Sequence, residues 1–152
     1  MIFKKLHYLS YLSPVLFTWG CIVSLPEIIE RTPNVISNIG FGIFMFGLAL
    51  SLEGFKDQNK FSKSEKKNFS SKKRMNFTFI YYSFFYIFSF LLGTFMFNLD
   101  IFYPSQPESA IAQFEDIGYG CFSLAIGGFN HLKMTYEKYQ NFIQKNEALQ
   151  KE

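Results

Sequence analysis

The chain has 152 residues, about half of them hydrophobic and a fifth aromatic, with 21 Phe and a formal net charge of +3. Two cysteines, Cys21 and Cys121, are too few and too far apart for a disulfide framework or a zinc site. The positive balance does not make a nucleic-acid binder, because the basic residues flank apolar blocks instead of forming a domain of their own.

Four stretches carry no Asp, Glu, Lys or Arg: Leu6 to Pro26, Pro33 to Leu52, Asn76 to Leu99 and Ile117 to Asn130. A helix crossing roughly 30 Å of hydrocarbon needs about 20 apolar residues, so these blocks predict membrane spans over about 6–25, 33–54, 77–99 and 115–133. The last reaches that length when Glu115 and Asp116 sit at one interface and His131 to Met134 snorkel at the other.

The first span follows Lys4 and Lys5, as a secretory signal would, but no small-x-small cleavage pattern follows, and the segment reads as a mature helix. Pro14 should loosen one turn, and Pro26 should end the helix. Ser10, Ser13, Phe17, Gly20 and Ser24 fall on one helical stripe, where another helix can approach. In the second span Gly40, Gly47 and Gly54 repeat every seven residues, and Ser51 extends the seam. Small residues let backbones touch, which matters in lipid, where no hydrophobic effect drives helices together.

Residues 56–74, with eight Lys and Arg, predict a solvated basic loop that fixes topology. The third span is the most aromatic, with its Phe side chains read as lipid-facing bulk and not as a cofactor site. Pro104 and Pro107 mark a connection. In the fourth span Gly118, Cys121, Ala125 and Gly128 share one stripe, with Gly120 and Gly127 on the next, as expected of a helix held between two partners. The polar tail, 134–152, continues with apolar residues at 132, 136, 139 and 143 on one side, a face suited to headgroups or a soluble partner.

With the amino terminus inside, four crossings leave 14 of the 15 basic residues on the cytoplasmic side and only Arg31 outside. The expected architecture is therefore an all-α, antiparallel four-helix bundle of one membrane domain, multi-pass, with both termini cytoplasmic. The first, second and fourth helices should pack through small residues, leaving the third more exposed to lipid.

Chemistry is sparse. Cys21 and Cys121 come to similar depths, so a disulfide between them, or thiol redox work, is conceivable, although the Cys-x-x-Cys pair of thiol oxidoreductases is missing. His7 and His131 share a side without carboxylates or thiolates that would complete a metal or haem site. A carrier is expected to hold an ionisable group deep in a span. Here Glu53 is the nearest candidate, and Asn38, Glu53 and Asn130 are the groups that would line a polar path. No catalytic motif, metal site or cofactor site is expected.

The run GFGIFMFGLALSLEGFKDQNKFSK, Gly40 to Lys63, resembles the second helix and cytoplasmic loop of small membrane proteins of flavobacteria and related Bacteroidetes. That resemblance implies a bacterial cytoplasmic (inner) membrane location and no activity. The expected role is non-enzymatic: an accessory, regulatory or immunity-type protein that binds the bilayer and another membrane protein or itself. The alternative is a small oligomeric transporter or channel, and the two differ in whether the polar groups line one continuous wet path.

Overall fold

The structure is a computed structural model that describes residues 7–30 and 35–149, with side chains given in those ranges except at His7 and 25–30, so the expectation about the His7 side chain lies outside what is described. Expectations about Lys4, Lys5, Leu6, Arg31, Pro33 and Lys151 lie outside the described residues, as does the end of the tail at 150–152. All regular structure among the described residues is helical.

A short 3₁₀ helix, His7–Leu12, leads into α1, Ser13–Glu30. Pro14 marks the change between the two. It occupies the first turn of α1, where a backbone N–H has no acceptor in any case. Pro26, expected to end the helix, does not. It forfeits one backbone hydrogen bond, but the residues after it still donate, and α1 runs on to Glu30.

The second helix, α2, is Val35–Glu53, about 28 Å long at about 1.5 Å per residue. The basic loop is more structured than its composition suggested. It contains α3, Lys63–Phe69, opened by a reciprocal capping box: the Ser62 hydroxyl accepts from the Glu65 N–H at 3.2 Å, and the Glu65 carboxylate accepts from the Ser62 N–H at 2.7 Å. Ser71 then caps α4, Lys72–Phe97, five residues earlier than the apolar pattern alone indicates. A single turn, α5, Leu99–Phe102, precedes α6, Glu108–Leu149. At 42 residues α6 is about 63 Å long, so fourth span and tail are one continuous helix.

The four long helices form a row, not a closed bundle. The helix α1 packs along α2, α2 along α6, and α6 along α4. Among the described residues α1 makes no close backbone approach to α6 or α4, so the expected packing of the first helix against the fourth does not occur. Neighbours in sequence run antiparallel, which makes α2 and α6, at the centre, parallel.

Two similar hairpins make up the row. In α1–α2, Gly20 lies on the Gly42 carbonyl, and Ser24, four residues later, reaches the same glycine. In α4–α6, Gly93 lies on the Gly118 carbonyl, and Phe97, again four residues later, covers Gly118. The second helices carry an echoed sequence at this point: Ile39-Gly40-Phe41-Gly42 with Phe44, and Ile117-Gly118-Tyr119-Gly120 with Phe122. The crossing uses the second glycine of this echo, Gly42, in the first hairpin and the first glycine, Gly118, in the other.

Two helices, Val35–Glu53 and Lys72–Phe97, are long and apolar enough to cross a membrane; residues Tyr8–Ser24 form a shorter apolar helix. Only about a fifth of each long span is buried within the chain. Phe77, Ile80, Phe84 and Leu91 of α4 are each at least 60% exposed, and Val15, Trp19 and Ile22 of α1 are more than half exposed. The helix of a water-soluble core would hide such side chains.

Candidate functional site

The α2–α6 contact is the most closely fitted part of the molecule. Gly40 faces the Asp116 carbonyl, Gly120 faces the Gly40 carbonyl, Gly47 faces Ser123, Gly127 faces the Gly47 carbonyl, and Gly54 faces Asn130. A Cβ added at Gly40 or Gly120 would come within 2.5 Å of backbone oxygen, closer than any real contact, so neither position has room for a side chain.

Hydrogen bonds cross the same interface at a fixed interval. The Ser37 hydroxyl donates to Asp116 Oδ2 at 2.5 Å, Ser123 Oγ to the Phe44 carbonyl at 2.9 Å, Asn130 Nδ2 to the Ser51 carbonyl at 2.9 Å, and Gln58 Nε2 to Glu137 Oε2 at 2.6 Å. Each pair is separated by 79 residues; the first three advance by seven on both helices, and Gln58, in the turn beyond α2, continues the step. A constant offset requires parallel helices in a fixed register. The seven-residue step keeps the seam on one side over three levels of α2, as in a left-handed supercoil.

The stripe of α6 that begins at Gly118 faces the other way, toward α4. Ala125 is fully buried there, Cys121 lies against Gly93, and Gly128 leaves a notch filled by the Tyr86 ring. Of the residues singled out for packing, Gly20 therefore belongs to the α1–α2 contact. Gly40, Gly47, Ser51 and Gly54 belong to α2–α6, and Gly118, Cys121, Ala125 and Gly128 to α6–α4. Gly42 and Gly93, which complete the hairpin crossings, were not identified from sequence, since their partners become visible only when the helices are paired.

This order corrects the disulfide expectation. Both thiols are free, and Cys121 faces α4 whereas Cys21 stands on α1, beyond α2. Matching depth does not bring them together. The groups named for a polar path are spread along the seam. Asn38 lies near the Val35 end of α2, where its carbonyl accepts from Ser24 Oγ at 3.4 Å, while Glu53 is fifteen residues away, about 22 Å along the helix. Between them the interface is filled by interlocked glycines and Ser123. Asn130 is engaged with Ser51 and packs on Gly54.

At its Glu53 end the seam opens into a small polar cluster. The Glu53 carboxylate pairs with Lys56, and its other oxygen stands 3.9 Å from His131 Nε2. The Tyr82 ring meets the His131 imidazole edge-on at 5.9 Å, and His131 Nδ1 is buried without a hydrogen-bond partner among the described residues. The cluster joins α2, α4 and α6 at one level.

Beyond it, α3 and the loop before it cover the outer part of α6. Phe61 and Phe69 pack on Phe142 and Tyr139 with ring centroids 5.5 to 5.8 Å apart, and Phe69 is 5% exposed. Lys138, nearly buried, donates to Glu65 at 2.8 Å. Burial alone would raise the Glu65 carboxyl, but the hydrogen bonds from Lys138 and Ser62 outweigh it and hold the group below its ordinary value. The amphipathic tail face is thus met by the chain's own loop.

The described residues contain no group of three or more His, Cys, Asp or Glu able to hold a metal ion. Comparison of the chain with protein-family models, with curated proteins and with solved structures found no match.

Proposed function

We propose that this chain is a multi-pass protein of a bacterial cytoplasmic membrane, crossing four times with both ends on the basic side. It acts without catalysis, by binding another membrane protein. The observation that carries this reading is the use made of the polar groups on α2 and α6. Ser37, Ser123 and Asn130 each hold one helix to the other, with glycines interlocked between them. Residues spent in this way make a rigid scaffold and leave no wet route from end to end among the described residues, which disfavours the transporter alternative.

Exposed apolar flanks on α1 and α4 support the membrane part of the reading, as does the clustering of lysines at the Glu53 end. An open row gives α1 one protein neighbour on one side only, leaving its other side available to a partner helix. The test is gentle extraction of the tagged protein from its native membrane with mass spectrometry of what accompanies it. A stoichiometric membrane partner is expected. A pure homo-oligomer would instead favour a path built between copies and bring transport forward.

A further inference from the structure

The basic residues of the segment that joins α2 to α4 fall into two groups. Lys56, Lys60 and Lys138 of the facing helix are paired with Glu53, Asp57 and Glu65. By contrast Lys63, Lys66, Lys67, Lys72, Lys73 and Arg74 are all exposed, and among the described residues no carboxylate pairs with any of them. Glu65 is the only acidic residue between Asp57 and Asp100, and the fold neutralises it. Standing one turn before Phe69, it faces α6 together with that ring and is taken up by Lys138. The outward side of residues 62–74 therefore carries six positive charges and no free negative one.

These charges share one level. Phe69 packs on Tyr139 and Phe142 of α6, and Phe79 of α4 packs on Tyr136 with ring centroids 5.8 Å apart. Lys73, six residues before Phe79 on an antiparallel helix, thus comes level with Phe142 and with α3. Lys73 also heads the exposed apolar stripe of α4, since Phe77, Ile80, Phe84 and Leu91 follow it at i+4, i+7, i+11 and i+18. Where that stripe meets hydrocarbon from Phe77 onward, Lys73 stands about 6 Å farther out. The headgroup layer on each side of a bilayer is about 5–7 Å deep. The unpaired cations are therefore set at the depth of lipid phosphates.

We propose that α3 and the first turn of α4 form a platform for the anionic phospholipids of the leaflet, binding several headgroup phosphates at the surface. The platform rests on the membrane-spanning reading above. It gives α3 a second support besides its aromatic rings, so that the helix is held between α6 and the headgroups.

The experiment places the full chain in vesicles of equimolar phosphatidylglycerol and phosphatidylcholine with the same acyl chains. Mild non-ionic detergent then extracts it, and native mass spectrometry reads the lipid that stays bound. Wild type should keep phosphatidylglycerol in preference, and the preference should fall in about 1 M salt, where the screening length is about 3 Å. The triple variants Lys72→Gln, Lys73→Gln, Arg74→Gln and Lys63→Gln, Lys66→Gln, Lys67→Gln should each weaken it at least about fivefold, the scale of one basic contact near a membrane surface. Both should melt as wild type does. Lys56→Gln with Lys60→Gln, which removes cations already paired, should leave the preference unchanged. Equal retention of both lipids by wild type, or an unchanged preference in both triple variants, would overturn the platform. So would a wild type without lipid preference that binds a single-stranded oligonucleotide in phosphatidylcholine vesicles, which would assign the cations to nucleic acid. An alkaline carbonate wash separates the two levels of the argument. Protein that stays in the membrane yet shows no preference overturns the platform alone, whereas protein released by the wash overturns the spanning reading as well.

Discussion

The helix α6 meets its partners in two different ways along its length. From Asp116 to Asn130 it lies against α2 through glycines, serine and asparagine, with backbones touching. From Lys138 to Phe142 it receives α3 through aromatic rings and an ion pair. The difference follows from the solvent each part is read as facing. In hydrocarbon, large apolar side chains gain nothing by leaving lipid, so close fit and polar bonds must hold the helices. In water, burial of a ring such as Phe69 is itself worth about 1.5–3 kcal/mol.

The largest expected effect breaks the first contact. Gly47→Leu places a side chain where Ser123 backbone already lies, and overpacking of this kind typically costs about 1–3 kcal/mol, here at the upper end because backbone must move. A clear drop in the melting temperature in detergent checks it; an unchanged melt would count against the seam. Next is the second contact. Phe69→Ala should lose about 2–3 kcal/mol of α3 docking, read as faster hydrogen exchange over residues 62–69 with the α2–α6 amides unaffected.

Asn130→Ala should cost less, about 0.6–1.7 kcal/mol, the span measured for hydrogen bonds between membrane helices. Its effect should appear in the melt and not in α3 exchange. The smallest effect is a pH response of the second contact alone. The Glu65 carboxyl is lower in the folded state than in the unfolded chain, so the stability it adds is fully present above the ordinary carboxylate value, 4.5. It is lost as pH falls below that value through the folded one. The protection factors over 62–69, which are corrected for the intrinsic pH dependence of amide exchange, should fall there relative to neutral pH in wild type and change less in Glu65→Gln.

Sequence carries the faces of the helices well and their neighbours poorly. Gly40, Gly47 and Gly54 announce a seam by spacing alone, and the two small stripes of α6 announce two partners. Spacing does not say which helix fills each face, so it supports a bundle without an order of neighbours, and it matches Cys21 and Cys121 in depth without deciding whether their helices adjoin. The pairing of Ser62 with Glu65 was legible as a capping box, but eight basic residues drew the reading of 56–74 toward loop. The register between α2 and α6 is a long-range fact with no local signal, because each hydrogen bond joins residues 79 apart.

That register is the claim most directly open to test, by oxidative crosslinking of paired cysteines in a chain with Cys21 and Cys121 replaced by Ser. Parallel packing predicts that the pairs Ser37→Cys with Asp116→Cys, and Ser51→Cys with Asn130→Cys, link efficiently. The exchanged pairs, Ser37→Cys with Asn130→Cys and Ser51→Cys with Asp116→Cys, should not. Crosslinking of the exchanged pairs in place of the direct ones would contradict the arrangement at the centre of the molecule.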